Sequence, residues 1–371
     1  MFCYGTFPYL MKIGILAHLK HPIRSPFAGG LEVFTYEITR SLQERGHEVI
    51  LFASSMSSSD LPLEPILSDS GYNQETGIRK KIKDLPSEYI SEHLAYMNLM
   101  LKIDEYKLDA IFNNSLHYVP IMMATLVSTP MLTVLHTPPF YELELAIKAE
   151  RTTSKVKYCT ISASNSLLWR KHSGELDVVY NGIDVDRWQW KLSNLDETYA
   201  FWSGRIHPDK GLHYAIAAAR FAGIKLVVAG GIADKKYFNN YVRPLLGEDT
   251  IMLGNLAHQE LNHHLANAAV CLITPCWEEP FGLVVPEAMA CGTPIAGFRI
   301  GALPELIPST CGHLVDPGDV EALSTAIHKA KRLDRKIVRQ YAENNFSYHA
   351  MIENYERMLM QVIKKQEINE N

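Results

Sequence analysis

Residues 270–298 read VCLITPCWEEPFGLVVPEAMACGTPIAGF and hold a complete strand–loop–helix–strand unit. Val270 to Thr274 is a short apolar run of the buried-strand type, and Pro294 to Phe298 is another. Between them, Pro280 and Gly282 bracket the start of a helix that runs from Leu283 to Ala290. The same alternation spreads outward. Strands fit Tyr199 to Ser203, Lys225 to Ala229 and Thr250 to Leu253; helices fit Leu212 to Phe221, Gln259 to Ala268 and Val320 to Arg332. The first half repeats the pattern without repeating the sequence. Its strands fit Ile13 to Ala17, His47 to Ala53, Asp109 to Phe112, Met131 to Leu135, Val156 to Ile161 and Asp177 to Tyr180. Its first helix carries Leu31, Phe34, Ile38 and Leu42 on one face, with Gly46 as the stop. Strands alternating with helices imply a parallel sheet covered on both faces.

The expected fold class is therefore α/β, with two Rossmann-like, doubly wound domains. In tandem they are expected to face a central cleft at the carboxyl ends of their sheets. The polar stretch Trp190 to Thr198 marks the boundary, giving domains 11–190 and 191–346. A final apolar stripe through Tyr348, Met351, Ile352, Tyr355, Met358, Leu359, Val362 and Ile363 predicts a helix over 347–364 that must pack on something, followed by a frayed tail.

Composition narrows the function classes. A chain of 371 residues with 47% hydrophobic and 21% charged residues carries enough apolar material for two cores and excludes a disordered or coiled-coil class. The net charge of -5, from 36 basic and 41 acidic residues, argues against a general nucleic-acid binder. Six cysteines without a C-x-x-C pair give neither a disulfide scaffold nor a zinc ribbon, which predicts a reduced, cytoplasmic protein. Met1 to Leu10 lacks a signal-peptide pattern, and no stretch reads as a membrane span. The basic runs Arg79-Lys80-Lys81-Lys83 and Arg170-Lys171 fit either a solvated face or peripheral contact with an inner membrane surface.

No G-x-G-x-x-G, G-x-x-x-x-G-K-[ST], H-E-x-x-H or G-x-S-x-G is present, so dehydrogenase, P-loop, zincin and serine hydrolase readings lose their support. The helix start near Phe281, Gly282 and Leu283 is an anion site by its free backbone N–H groups. Glu279 sits at its lip and Glu287 two turns on, a step that keeps both on one side. Spacing alone fits an N-cap glutamate plus a solvent-facing glutamate equally well. The loop Ser203-Gly204-Arg205-Ile206-His207-Pro208-Asp209-Lys210-Gly211 follows a strand and offers Arg205 and Lys210 to a diphosphate, or simply to solvent. Ala28-Gly29-Gly30 opens the first helix without side chains, which suits either a phosphate or a plain turn. His136 follows the strand Met131 to Leu135; a lone histidine is usually structural, yet this end of a sheet binds ligands. Asp184-Val185-Asp186 has metal-ligand spacing but lies in a turn, and His258, His263 and His264 read as a solvated helix face.

In this order the motifs resemble the retaining, nucleotide-sugar-dependent glycosyltransferases of family 4, which have the GT-B fold. The resemblance runs from Met11 to the last helix through Gly29-Gly30, Gly46-His47-Glu48-Val49, Leu135-His136-Thr137-Pro138, Asn181-Gly182-Ile183-Asp184, Gly204-Arg205, Lys210-Gly211 and the E-x7-E pair Glu279 and Glu287. It implies that Arg205 and Lys210 bind the donor diphosphate, that Glu287 holds the ribose and that Glu279 bonds the donor sugar beside the amides of Phe281 and Gly282. It further implies that Gly30 approaches the diphosphate, that His136 sits near the transferred sugar, and that Gly254-Asn255-Leu256 meets the base. The last helix would pack on the first domain. Two departures stand out. Thr274-Pro275-Cys276-Trp277 replaces the usual Pro-Ser before the motif, and Leu31-Glu32 follows Gly30 where a basic residue could select the sugar.

The resemblance thus implies a metal-independent hexosyltransferase using a nucleoside diphosphate sugar, a UDP-sugar by preference. Its acceptor would be the hydroxyl of a sugar, a lipid-linked molecule or a small molecule. Rival readings are an epimerase or phosphorylase of the same fold, or a catalytically silent sugar-nucleotide-binding protein.

Overall fold

The computed structural model describes residues 9–68, 87–151, 155–190 and 199–370. Contacts divide the chain into two compact units. The first comprises Met1–Ile161, Ser166–Val179 and Ile352–Asn371; the second comprises Ser162–Asn165 and Tyr180–Met351. The basic run from Arg79 to Lys83 lies outside the described residues.

The first unit is built on β1 (Lys12–Ala17), β2 (Glu48–Ser54), β3 (Leu63–Leu67), β4 (Ala110–Asn114), β5 (Met131–Leu135), β6 (Val156–Thr160) and β7 (Asp177–Val178). They form one parallel sheet in the order β3-β2-β1-β4-β5-β6-β7. Central strands are apolar on both faces because helices cover both: Ile13, Ile15, Leu51, Ile111, Phe112 and Leu132 are all fully buried. The helix Gly30–Glu44 buries the expected Phe34, Ile38 and Leu42. Burying each such side chain contributes about 1.5–3 kcal/mol. The helix Tyr348–Glu370 buries Met351, Ile352, Tyr355, Met358, Leu359, Val362 and Ile363, the stripe read from sequence, and it stays helical to Glu370 rather than fraying after Lys364. Glu356, on that stripe, is fully buried. It lies 2.6 Å from Arg45 Nε and 3.0 Å from His47 Nε2. His47 Nδ1 accepts from the Met11 amide at 3.1 Å, so Nε2 carries the proton and donates to the carboxylate.

The second unit carries β8 (Tyr199–Ser203), β9 (Lys225–Ala229), β10 (Thr250–Gly254), β11 (Val270–Ile273), β12 (Ile295–Phe298) and β13 (Gly312–Val315) in the parallel order β10-β9-β8-β11-β12-β13. The helices Leu212–Phe221 and Val320–Ala330 pack on it through Leu212, Ala215, Ile216, Leu323 and Ile327. Residues 180–190 are held by this unit. Arg339 Nη1 donates to the Trp188 carbonyl at 2.9 Å, and Asn262 Nδ2 donates to that of Arg187 at 3.1 Å.

Several elements were not expected from the sequence, among them two strands and a helix. β3 and β13 are edge strands whose residues stay half-exposed, so neither shows a buried run. The helix Arg335–Asn345 turns arginines inward. Arg335 donates to the carbonyls of Ala266 and Ala268, and Arg339 to that of Ala290, so the buried face is not apolar. β4 also runs two residues beyond the expected Phe112, to Asn114. No described helix is long and apolar enough to cross a membrane.

Candidate functional site

In the second sheet the strand order reverses between β8 and β11, the switch point at which doubly wound sheets bind ligands. Two glycines bring the flanking loops together there. Gly211 has φ +61, and a Cβ on it would stand 2.1 Å from the Thr274 carbonyl oxygen. Gly301 has φ +58, and its Cβ would meet the Glu279 amide nitrogen and carbonyl oxygen at 2.4 Å. Only glycine allows both the left-handed turn and the close approach. Thr274 ties the loops from below, its hydroxyl donating to the carbonyls of Lys210 at 3.0 Å and Gly211 at 3.1 Å.

The outcome is a compact cluster. Lys210 Nζ lies 2.5 Å from Glu279 Oε2, to which Trp277 Nε1 also donates at 2.9 Å. The ammonium stands 5.4 Å from the centre of the Trp277 ring, within cation–π range. Glu279 is almost buried, its side chain 9% exposed, whereas that of Lys210 is 24% exposed. Part of the Lys210 side chain therefore stays open to solvent. Arg205 lies on the same loop but apart from this pair. Its guanidinium is half-exposed and 3.6 Å from Asp209, which His207 also holds at 2.7 Å. An exposed pair of this kind contributes little and is easily exchanged.

Phe281 is buried, Gly282 has φ +82, and Leu283 caps the short helix Val284–Ala290. Glu287 sits within that helix without a bond to Glu279. Burial disfavours its charged form and pushes its pKa up to about 7. Burial first, and the Glu287 carboxylate second, push the Cys271 and Cys291 thiols up. Gly254 ends β10, and its carbonyl accepts from the Gly230 amide at 2.7 Å; Leu256 follows, half-exposed, at the same carboxyl end. Arg205, Lys210, Gly254, Leu256 and Glu279 thus lie in the loops at the carboxyl ends of β8, β10 and β11, and Glu287 lies inside the helix that follows β11. The other two sequence candidates resolve into structure. Asp184 accepts from the Asp186 amide as a turn cap, and His264 stacks on Phe201.

The first sheet reverses between β1 and β4. Gly29 caps the helix Gly30–Glu44 in extended conformation without a side-chain bond. Glu32 bends back over this start, near Gly29, with Oε1 2.9 Å from His18 Nε2. Burial opposes its charge, but the bond and charge of His18 and its own backbone amide outweigh it, and its pKa is lowered. The helix start expected to meet a phosphate already has a carboxylate beside it. His136, at the end of β5, is buried with Nε2 2.7 Å from Asn114 Oδ1 and its ring 4.7 Å from that of Phe34. Burial first, and His18 second, lower its pKa to about 3, so the imidazole is neutral. His18, Asn114 and the bonding role of Trp277 were not read from the sequence. Asn114 was detectable only by extending β4 to the switch point. An apolar cavity of about 660 Å³ walled by Tyr89, Tyr118, Met122, Tyr141 and Leu145 also lies in this unit, away from the residues chosen from sequence.

Comparison with known proteins agrees on the family. The description Glycosyltransferase Family 4 matches residues 28–187, and Glycosyl transferases group 1 matches residues 184–347. The chain belongs to glycosyltransferase family 4. This family 4 chain is 24% identical to the D-inositol 3-phosphate glycosyltransferase of Mycolicibacterium smegmatis, over 88% of its length and 84% of that protein. It is 32% identical over 190 residues to a glycogen synthase of Mycobacterium tuberculosis, covering 48% of this chain. The match spans about half (45%) of the length of that relative. Among solved structures, sucrose-phosphate synthase of Thermosynechococcus elongatus aligns with a TM-score of 0.76 at 20% identity, over 96% of this chain and 100% of that one. Anabaena HepE in complex with UDP and glucose aligns with a TM-score of 0.73 at 17% identity, over 95% and 100%. These likenesses establish the fold, and the two Rossmann-like units are those of the GT-B class.

Proposed function

We propose that this family 4 chain transfers a hexosyl unit from a UDP-sugar to a hydroxyl acceptor, with retention at the anomeric carbon and without a metal ion. The observation that carries the reading is the Lys210–Glu279–Trp277 cluster at the β8/β11 switch point. A diphosphate landing on the open side of Lys210 takes over part of its charge, which frees Glu279 to accept bonds from donor-sugar hydroxyls. Arg205, exchanging its exposed Asp209 contact, supplies the second cation. Two preorganised cations offset the charge that develops on the leaving diphosphate. Glu287 takes the ribose hydroxyls, and the loop at Gly254 to Leu256 meets the base. A structural neighbour solved with UDP and with UDP-glucose supports a uridine donor.

In this reaction the bond from the anomeric carbon to the phosphate oxygen breaks, and UDP leaves with the electron pair. The acceptor oxygen bonds to the same face, and its proton passes to the departing phosphate. No protein nucleophile is needed. His136, neutral across the physiological range, polarises a sugar hydroxyl without competing for that proton.

The test is product analysis. The purified chain is incubated with UDP-glucose, UDP-galactose or UDP-N-acetylglucosamine, a panel of hydroxyl acceptors and excess EDTA, and the glycoside is read by proton NMR. An axial glycoside from an axial donor, formed despite EDTA, is expected. An equatorial product, or activity restored only by a divalent ion, contradicts the reading.

A further inference from the structure

We propose that Asn114 is a positioning residue for His136: its Oδ1 accepts the Nε2–H of the ring and thereby fixes one tautomer, with Nδ1 left as an acceptor at the carboxyl end of β5. This rests on the reading that places His136 beside the transferred sugar.

The geometry around Asn114 is over-determined in a way that packing alone does not require. Asn114 is fully buried, as the last residue of β4 at the strand-order switch. The turn that follows is fastened by three consecutive bonds from side chain to backbone. The Ser115 amide donates to Asn113 Oδ1 at 3.1 Å, the His117 amide to Ser115 Oγ at 3.2 Å, and the Val119 amide to His117 Nδ1 at 3.2 Å. Asn113 Nδ2 donates to Thr133 Oγ1 at 3.1 Å, locking β4 to β5, the strand that His136 follows. Within this turn Leu116 sits at φ +53, a strained region for a bulky L-residue. Such strain persists only where its surroundings enforce it, and here they hold the Asn114 amide 2.7 Å from the ring.

Around His136, the loop after β1 contributes His18, and the helix Gly30–Glu44 contributes Glu32, whose carboxylate lies 2.9 Å from His18 Nε2, together with the Phe34 ring. The C-terminal helix contributes Tyr355, which touches Phe34. Asn114 is the polar group bonded directly to the imidazole. The orientation of its amide matters. With Oδ1 toward the ring, Nδ2 is buried without a partner among the described residues and remains a spare donor. With the amide reversed, Nε2 would be the acceptor and the proton would move to Nδ1.

Long-range ¹⁵N–¹H NMR of ¹⁵N-histidine-labelled protein reads this directly, with His136→Phe identifying the signals. The wild type should show a single Nε2–H tautomer from pH 5 to 9. Asn114→Ala should mix the tautomers and lower transfer about tenfold or more, while UDP binding stays unchanged. Asn114→Asp keeps the acceptor but adds a charge, which favours imidazolium. Transfer by that variant should fall as the pH drops toward 6 and recover on the alkaline side. An Nδ1–H tautomer in the wild type overturns the proposal. So does Asn114→Ala with unchanged His136 signals, or Asn114→Asp with an unchanged pH profile. The tautomer is read without substrate, so a chain that proved to transfer no sugar would defeat the functional reading and leave this result standing on its own.

Discussion

The two units share one topology and use opposite electrostatics at the corresponding place. At the β8/β11 switch, the second unit holds a charged pair whose cation is partly open, with an exposed arginine on the same loop. At the β1/β4 switch, the first unit sets Glu32 2.9 Å from His18 and an uncharged His136 against Asn114. A pair of this kind gains little stability after desolvation, and on the proposed reading its partly open lysine serves a diphosphate. The same sheet order thus carries a charged cluster at one switch point and an uncharged hydrogen-bonded histidine at the other.

That contrast is most easily broken at Lys210. Lys210→Ala should lower kcat/KM for transfer about 100- to 1,000-fold, because it removes a preorganised cation and strands Glu279. A fall below tenfold would mean that the second unit's charge is structural. Buried charge in the first unit should behave the other way. Glu356→Ala removes the buried carboxylate that Arg45 and His47 share and should cost about 3–5 kcal/mol of stability in urea unfolding, with transfer by the folded variant unchanged.

Glu287 sharpens the comparison through pH. Its folded pKa of about 7 lies above the ordinary 4.5, so the folded state holds this proton more tightly than the unfolded chain. Its favourable contribution is present at low pH and is lost as pH rises from about 4.5 through 7. Glu287→Gln should flatten that part of the stability curve in thermal melts from pH 4 to 8. If its carboxylate takes ribose hydroxyls, wild-type UDP affinity should rise through pH 7 and that of the variant should not. Arg205→Ala should have the smallest effect, about tenfold on UDP affinity, because its guanidinium is half-exposed and already shared with Asp209.

The sequence made the central strands legible because burial on both faces leaves runs such as Val270 to Ile273 with no polar positions. β3 hid because Glu64 and Pro65 interrupt it at a sheet edge. The helix Arg335–Asn345 hid because its inward side chains are arginines satisfied by carbonyl groups. For the site, residue types and the carboxyl-end rule brought out Arg205, Lys210, Glu279, Glu287 and His136 one at a time. They could not show that Lys210 and Glu279 meet across 69 positions, since that depends on β8 lying beside β11. Nor could they show that Glu32 bends back over the glycine helix start, a contact made by His18 from another loop.

Calorimetric titration of UDP into the wild-type chain and into Lys210→Ala, at one pH and one salt concentration, tests the central claim most directly. The account predicts one UDP site in the wild type, weakened at least about 100-fold in the variant. Equal affinity in the two proteins, or no binding to the wild type at millimolar UDP, would contradict it.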